Sequence, residues 1–336
     1  MTRPRKYSQQ WTGSIALIAA LWAGMYAPTS LAQGAADDYP SKPVSVTVPS
    51  EGNGIEGDLR PIFQSIQQAT GKTFIIEPRA GAAGTIGANY VAKARPDGYS
   101  LLAPNTSFTI SAAMYPELPY DTIKDFIPVT LLGKKAYLLL VNAATPYKTT
   151  REYLAYARAH PGELNFATAG PGGTIHLPGA LLHSLTGTSV TFVHYKAASQ
   201  RIVDLVAGRA DVSVGTYATT LGNIRAGKLR ALGVTTSRRI AVMPDVPTIE
   251  EQGVPGYEYT AWNGVLAPAR TPPAIVTKLN AWLVQAIKDP AVSKKLEADG
   301  TIMVGSSSDE FRHYIATDIE RWRKLIRDTG IKVGGE

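Results

Sequence analysis

The 336-residue sequence contains no cysteine. That excludes a disulfide, a thiolate-held metal and a lipid-bearing cysteine behind a leader. No internal run of about 18 or more apolar residues is present, so nothing within the chain reads as a membrane-spanning helix. The five histidines, His160, His176, His183, His194 and His313, have no metal-ligand spacing with one another or with acids. His176 and His183 share a helical face, but seven residues make two turns, too far apart for one ion. Structural or capping roles are expected for them, with no metal and no cofactor. No G-x-S-x-G elbow occurs, so a secreted esterase would lack the context of its nucleophile. Ser306-Ser307-Ser308 reads instead as a helix cap.

What is present begins with a leader. Arg3, Arg5 and Lys6 precede a short apolar run, Ile15 to Ala27. Ser30-Leu31-Ala32 then puts small residues at positions −3 and −1 of a cut before Gln33. Residues 1–32 therefore read as a secretory signal peptide rather than a membrane anchor, and a cysteine-free exported chain reads as periplasmic. The formal charge is +7. The leader carries three of the positives and no acid, leaving 31 basic against 27 acidic residues, near +4. That is too mild and too scattered for nucleic acid, and it suits a small anion only weakly. With 44% hydrophobic residues, the length suffices for two ordinary domains.

The stretch that organises the rest is VSVTVPSEGNGIEGD, Val44 to Asp58. Val44, Val46 and Val48 alternate with small polar residues, then meet Pro49 and three glycines. This predicts a strand, a tight loop and a helix capped by Asp58. Unpaired N–H groups and the helix dipole at such a loop make a socket for an anion. Two functions use one: dinucleotide binding by an enzyme, and carboxylate capture by a solute-binding protein.

Further along, a strand is expected at Thr73–Glu77, a glycine-rich loop at Arg79–Ala88, a helix at Tyr90–Ala94 and a strand at Tyr99–Ala103. Val129–Leu132 and Ala136–Val141 read as two strands, with a crossover between lobes here. Thr149 with Glu152 and Ser307 with Glu310 read as capping boxes. A second strand, glycine-rich loop and helix recur at Leu164–Thr168, Ala169–Thr174 and Ile175–Leu185. Strands at Val190–His194, Val212–Val214 and Arg230–Thr235 and a helix at Ser199–Ala207 follow. Pro244–Gly256 reads as turn-helix-turn, and Tyr259–Leu266 as the return crossover. A helix at Pro272–Lys288 precedes the last one, whose apolar face holds Phe311, Tyr314, Ile315, Ile319, Trp322 and Ile326 and reads as core packing. Strands alternating with helices indicate α/β lobes, each a mostly parallel sheet. Two such lobes facing each other would aim two helix N-termini into one cleft.

Gly52, Gly54 and Gly57 match G-x-G-x-x-G, with Glu77 about twenty residues on. An exported NAD-dependent oxidoreductase is the alternative this pattern supports. Against it, Pro49, Ser50 and Glu51 lengthen the loop, and Glu51 and Glu56 would place carboxylates beside a pyrophosphate.

Many ordered segments carry a different resemblance. RAGAAGTIGANYVAKARPDGYSLL, Arg79 to Leu102, resembles the signature of the Bug family, the periplasmic solute-binding proteins of tripartite tricarboxylate transporters. YPSKPVSVTVP, LPYDTIKDFIPVTLL, ELNFATAGPGGTIHLPGALL, FVHYKAASQRIVDLVAGRADV, AGKLRALGVTTSRR, PDVPTIEEQGVPGYEYTAW and SSSDEF resemble it in order, over essentially the whole mature chain.

The resemblance implies a two-lobed periplasmic binding protein of Venus-flytrap, type II-like fold, without catalysis, and a monomer. Lobe 1 would be residues 33–132 with 262–336, and lobe 2 residues 133–261. It implies a small organic acid as ligand and the membrane subunits of a tripartite tricarboxylate-type transporter as partner. A ligand-sensing receptor partner without transport is the other reading. The implied ligand residues are Ser50, Gly52, Asn53, Gly54 and Glu56 in the first loop, and Asn105, Thr106 and Ser107 after the third strand. The second-lobe loop supplies Gly170, Gly172, Gly173, Thr174 and His176. Tyr195, Gly215, Thr216, Trp262 and Asn263 line the implied cleft from other sides. The first loop departs from the family by being one residue shorter and by carrying Glu51, with Glu56 where an aspartate would align; Gly215 stands where another aspartate is common. Trp262 reads equally as a stacking residue or a core aromatic. Arg79 reads as a partner for Glu77 before it reads as a ligand residue.

Overall fold

Val44, Val46 and Val48 have no exposed surface, and Thr47 between them has 1%. A strand covered on both faces sits inside a sheet, not at its edge. The computed structural model, which describes residue 2 and residues 38–50 and 55–331, places it so. The expected signal peptide, residue 2 apart, and Glu51, Gly52, Asn53 and Gly54 lie outside the described residues. All strands and helices discussed belong to the unit Lys42–Glu336.

β1 (Val44–Val48) pairs in parallel with β2 (Phe74–Pro78) on one side and β3 (Ser100–Leu102) on the other. α1 (Ile55–Thr70) joins β1 to β2 and buries Ile55, Leu59, Ile62, Phe63 and Ile66. A 3-10 turn (Ala82–Gly84) leads into α2 (Thr85–Ala92), and α3 (Ser107–Met114) follows β3. β4 (Phe126–Asn142) comes next, then α4 (Thr150–Ala159), β5 (Asn165–Thr168), α5 (His176–Thr186), β6 (Thr191–His194) and α6 (Ala198–Val206). β7 (Val212–Thr216), α7 (Tyr217–Arg225), β8 (Leu229–Val234) and β9 (Thr260–Pro268) follow. The chain closes with α8 (Pro273–Lys288), α9 (Pro290–Ala298), β10 (Thr301–Met303) and α10 (Ser308–Thr329).

The sheet path runs β2-β1-β3-β9-β4-β7-β5-β6, with β8 and β10 also paired to β4. Its two ends are parallel blocks, β2-β1-β3 and β7-β5-β6. The antiparallel strands β4 and β9 lie between them. Phe126 to Ala136 of β4 pair with β9, whereas Tyr137 to Val141 pair with β7. One strand thus belongs to both sheets, the parallel blocks to one lobe each.

Separate cores lie on these sheets. Phe108, Phe126, Leu131, Trp262, Leu266 and Phe311 are in one, and Tyr153, Phe166, Leu177, Val214 and Tyr259 in another. α10 serves both: Phe311, Ile315 and Ile319 enter the first, Trp322 and Leu325 the second. Its start has the full capping box expected of Ser307 and Glu310. At α4 only half of the box forms. Thr149 accepts from Glu152 N, but the Glu152 carboxylate accepts from Lys148 N at 2.6 Å.

Several expectations are corrected. The two strands at 129–132 and 136–141 are one 17-residue strand. Gly133-Lys134-Lys135 looks like a break, but it pairs with β9 on one side and β10 on the other, and a bulge at Leu131/Gly133 absorbs the irregularity. Pro244–Gly256 forms turns and no helix. Thr248 bridges to Val234 of β8, and Gln252 Nε2 donates to Leu232 O at 2.7 Å. α3, α7, α9 and β10 are additional to the expected elements. Asp58 is not the cap of α1; it lies three residues inside the helix and is 7% exposed.

Candidate functional site

The chain leaves β1 through Pro49 and Ser50, which line a cavity of about 250 Å³ with Ala80, Gly81, Asn105, Ser107, Phe108 and Tyr120. Close approach makes this wall. A Cβ on Gly87 would come within 2.8 Å of Arg79 O and 3.0 Å of Pro49 Cα, so only glycine lets α2 sit against the end of β1. Ala82 and Ala83 have φ of 44° and 53°, values that L-residues rarely adopt and that mark a tight turn. Asn105 Oδ1 accepts from Ser107 N at 2.9 Å, which satisfies one of the open N–H groups at the start of α3.

Glu56, beside the undescribed loop residues, pairs with Arg60 at 3.3 Å on the helix surface. Arg79 pairs with Glu77 at 3.3 Å and lies over the Tyr90 ring, the structural partnership expected of it. Thr106 does not face the cavity. It is fully buried, and its Oγ1 accepts from Trp262 N at 2.9 Å.

Trp262 is a core aromatic here, 1% exposed, with Phe311 and Tyr314 edge-on to its ring. Its Nε1 donates to Asp318 Oδ2 at 3.0 Å, and Thr109 Oγ1 donates to the same oxygen at 2.6 Å. A large ring on β9 is the natural filler between α3 and α10, and its one polar atom finds a buried acceptor.

Asn263 forms a backbone bridge with Asn105 and donates Nδ2 to Asp58 Oδ2 at 2.7 Å. Lys135 Nζ donates to Asp58 Oδ1 at 2.8 Å. Burial pushes the Asp58 carboxyl above its ordinary value, and the Lys135 ammonium pulls it back. The polar chain Asn105–Asn263–Asp58–Lys135 therefore runs from the cavity to β4. The sequence reading missed Asp58 and Lys135 as members of it. A signal was there: position 58 shares the helical face of Ile55, Leu59, Ile62 and Ile66, and a carboxylate on a buried face needs a partner.

In the other lobe, β5 ends at Thr168 and the loop 169–175 leads into α5. Gly172 has φ +67° and lies against the side chain of Met114, the last residue of α3. Its N–H donates to His176 Nδ1 at 2.8 Å, and Gly173 N donates to Gly170 O at 3.1 Å. These two N–H groups are thus used within the loop. Those of Thr174 and Ile175 donate to no acceptor among the described residues. The Thr174 carbonyl accepts from Tyr259 OH at 2.9 Å.

His176 is 6% exposed. Burial first, then His194, lowers its pKa to about 4. It is therefore neutral near pH 7, with Nδ1 as acceptor and the proton on Nε2. Its role is to brace the loop from beneath.

Tyr195 OH donates to Asp204 Oδ2 at 3.0 Å. Thr216 Oγ1 lies 2.9 Å from Thr219 Oγ1. A Cβ on Gly215 would meet Thr220 Cγ2 at 2.7 Å, so a side chain there would require Thr220 to shift.

The structure thus brings Ser50, Asn105 and Ser107 to one cavity and keeps Gly170, Gly172, Gly173, Thr174 and His176 together in one loop. The loop does not line the cavity. α3 connects them, Ser107 at the cavity and Met114 at the loop, roughly 10 Å apart at 1.5 Å per residue.

Comparison with known proteins places this geometry. A family model described as "Tripartite tricarboxylate transporter family receptor" matches residues 59–331. Protein BugT of Bordetella pertussis is 32% identical over 314 residues, covering 93% of this chain and 95% of its own. The structure of Rpa4515 of Rhodopseudomonas palustris with adipate is 32% identical and superposes with TM-score 0.78, over 88% of this chain and 99% of that one. MatC from the same organism, with bound malate, is 32% identical with TM-score 0.73, over 86% and 100%. The two-lobed architecture and the Bug resemblance expected from the sequence are both shown by these matches.

Proposed function

Because the chain belongs to the tripartite tricarboxylate transporter receptor family, we propose that it is a monomeric, non-catalytic periplasmic receptor that captures a small organic carboxylate and delivers it to the membrane subunits of such a transporter. The lobes, residues 33–132 with 262–336 and residues 133–261, swing about the β4 and β9 crossings and close on the ligand. One acid group enters the cavity at Ser50, Asn105 and Ser107. The facing part of the ligand meets the N–H groups of Thr174 and Ile175.

The reading is carried by one observation: Thr174 N and Ile175 N, in the turn before α5, have no acceptor among the described residues. Such donors, with the dipole of the helix behind them, suit a carboxylate. The charge term adds about 0.3–1 kcal/mol per helix tip, and micromolar capture needs about 8 kcal/mol in all. The remainder must come from hydrogen bonds and closure. Adipate in Rpa4515 and malate in MatC indicate the class of acid.

The test is a melting-temperature survey with C4–C6 dicarboxylates, aromatic acids, amino acids and NAD, joined to mass spectrometry of small molecules released on denaturation. A rise with an organic acid and none with NAD is expected. A rise with NAD alone would overturn the proposal. In Thr174→Trp, the bulky ring covers the donors, so the acid-induced rise should vanish while the free protein still folds.

A further inference from the structure

Arg201 is a buried cation with no ion-pair partner among the described residues. It lies four residues beyond Ala197, the N-cap of α6, and is 5% exposed. One guanidinium nitrogen, Nη1, donates to Ser213 Oγ and, at 2.6 Å, to Val214 O. Nε is buried and has no partner. The carboxylate nearest in sequence, Asp204, is held by Arg209, Tyr195 and Gln200. Among the described residues no ion pair includes Arg201. Burial weakens its charged form.

A guanidinium remains protonated in proteins, and an enclosed charge without a counter-ion is unfavourable. Its acceptors lie near the cleft end of β7. Val214 and Ser213 are two and three residues before Thr216, roughly 7 and 10 Å at 3.3 Å per residue. At that strand end Gly215 carries no side chain, and among the described residues no carboxylate pairs with Arg201.

We propose that Arg201 is a specificity-determining residue. Its uncompensated charge beneath the end of β7 favours a ligand that carries a second acid group at this lobe over a monoacid of equal length. It acts through space across the strand end, not by touching the ligand. The inference rests on the carboxylate-receptor reading above.

Calorimetric titration with adipate, hexanoate, succinate and butyrate tests it on the wild type, Arg201→Lys and Arg201→Met. The wild type should prefer each diacid to its monoacid. Arg201→Lys should keep most of that ratio. Arg201→Met should lose it by about tenfold or more, with a melting temperature equal to or above the wild-type value, because an unpaired buried charge has gone. A variant that melts lower and keeps the wild-type ratio would make Arg201 a structural peg and overturn the assignment alone. A wild type that binds none of the four acids overturns the carboxylate reading itself, and the assignment with it. Should Arg201→Met not fold, Arg201→Gln carries the same comparison.

Discussion

Lys135 Nζ lies 2.8 Å from Asp58 Oδ1 and so ties the first turn of α1 to the strand shared by both sheets. The two side chains are 19% and 9% exposed. Removing the cation leaves a shielded carboxylate with Asn263 as its remaining side-chain donor. Lys135→Met should therefore cost about 2–4 kcal/mol near pH 7. The sign with pH follows from Asp58. Its folded pKa is already raised by burial, and losing Lys135 raises it further. An acid with a raised folded pKa favours the folded state fully below its ordinary value and loses that contribution as pH rises through the folded pKa. The deficit relative to wild type should shrink between pH 7 and pH 4.5 in urea-unfolding midpoints. A deficit independent of pH would remove Asp58 from the explanation.

His176 and His183 give the wild type a slope of opposite sign. Burial lowers both pKa values to about 4. His183 stands between Tyr153 OH at 3.0 Å and Thr188 Oγ1 at 2.6 Å, and His176 accepts from Gly172 N. A group with a depressed folded pKa, neutral when folded, contributes stability above the ordinary histidine value and loses it as pH falls towards 4. Each should be worth roughly 3 kcal/mol once fully titrated. Between pH 6.5 and 4 the unfolding midpoint should fall. His176→Asn, whose Oδ1 can still accept from Gly172 N, should flatten that fall by about half. An unchanged slope would show that His176 is solvated.

Much of this fold was legible because its signals are local. The Val44–Val48 alternation, the glycine-bearing loop before α5 and the Ser307–Glu310 box each depend on a few adjacent residues, and each forms. The continuity of β4 was not legible, since Gly133-Lys134-Lys135 is held in a strand by partners at Trp262 and Ile302. The same distance effect decided the site. Thr106 turns inward to meet Trp262 N, 156 residues away, and Asp58 meets Lys135, 77 residues away. A loop's residue types indicate that it can bind. Packing partners far along the chain decide which of its side chains remain available.

Gly172 and Met114 should show energetic coupling. Gly172→Ala places a left-handed φ on an L-residue, about 1–2 kcal/mol, and drives its Cβ into the Met114 thioether. Met114→Ala alone should cost about 2–3 kcal/mol for the lost packing. In the double variant the clash is gone and only the backbone strain and the cavity remain. The sum of the single costs should exceed the double cost by about 1 kcal/mol. Strict additivity in a double-mutant cycle would mean that the loop and α3 do not touch in solution.

Trp262 permits a clean separation of packing from binding. Its ring fills the space between α3 and α10, and its Nε1 is one of two donors to Asp318 Oδ2. Trp262→Phe keeps an aromatic ring but leaves that buried oxygen with Thr109 Oγ1 alone. The change should cost about 1–3 kcal/mol, from the lost donor and the smaller ring. A residue that stacked on the ligand would lose affinity by more than it loses stability. A core residue should do the reverse, so the dissociation constant for the best acid of the survey should move by less than about twofold, well under 1 kcal/mol. A tenfold weakening with an unchanged unfolding midpoint would return Trp262 to the cleft.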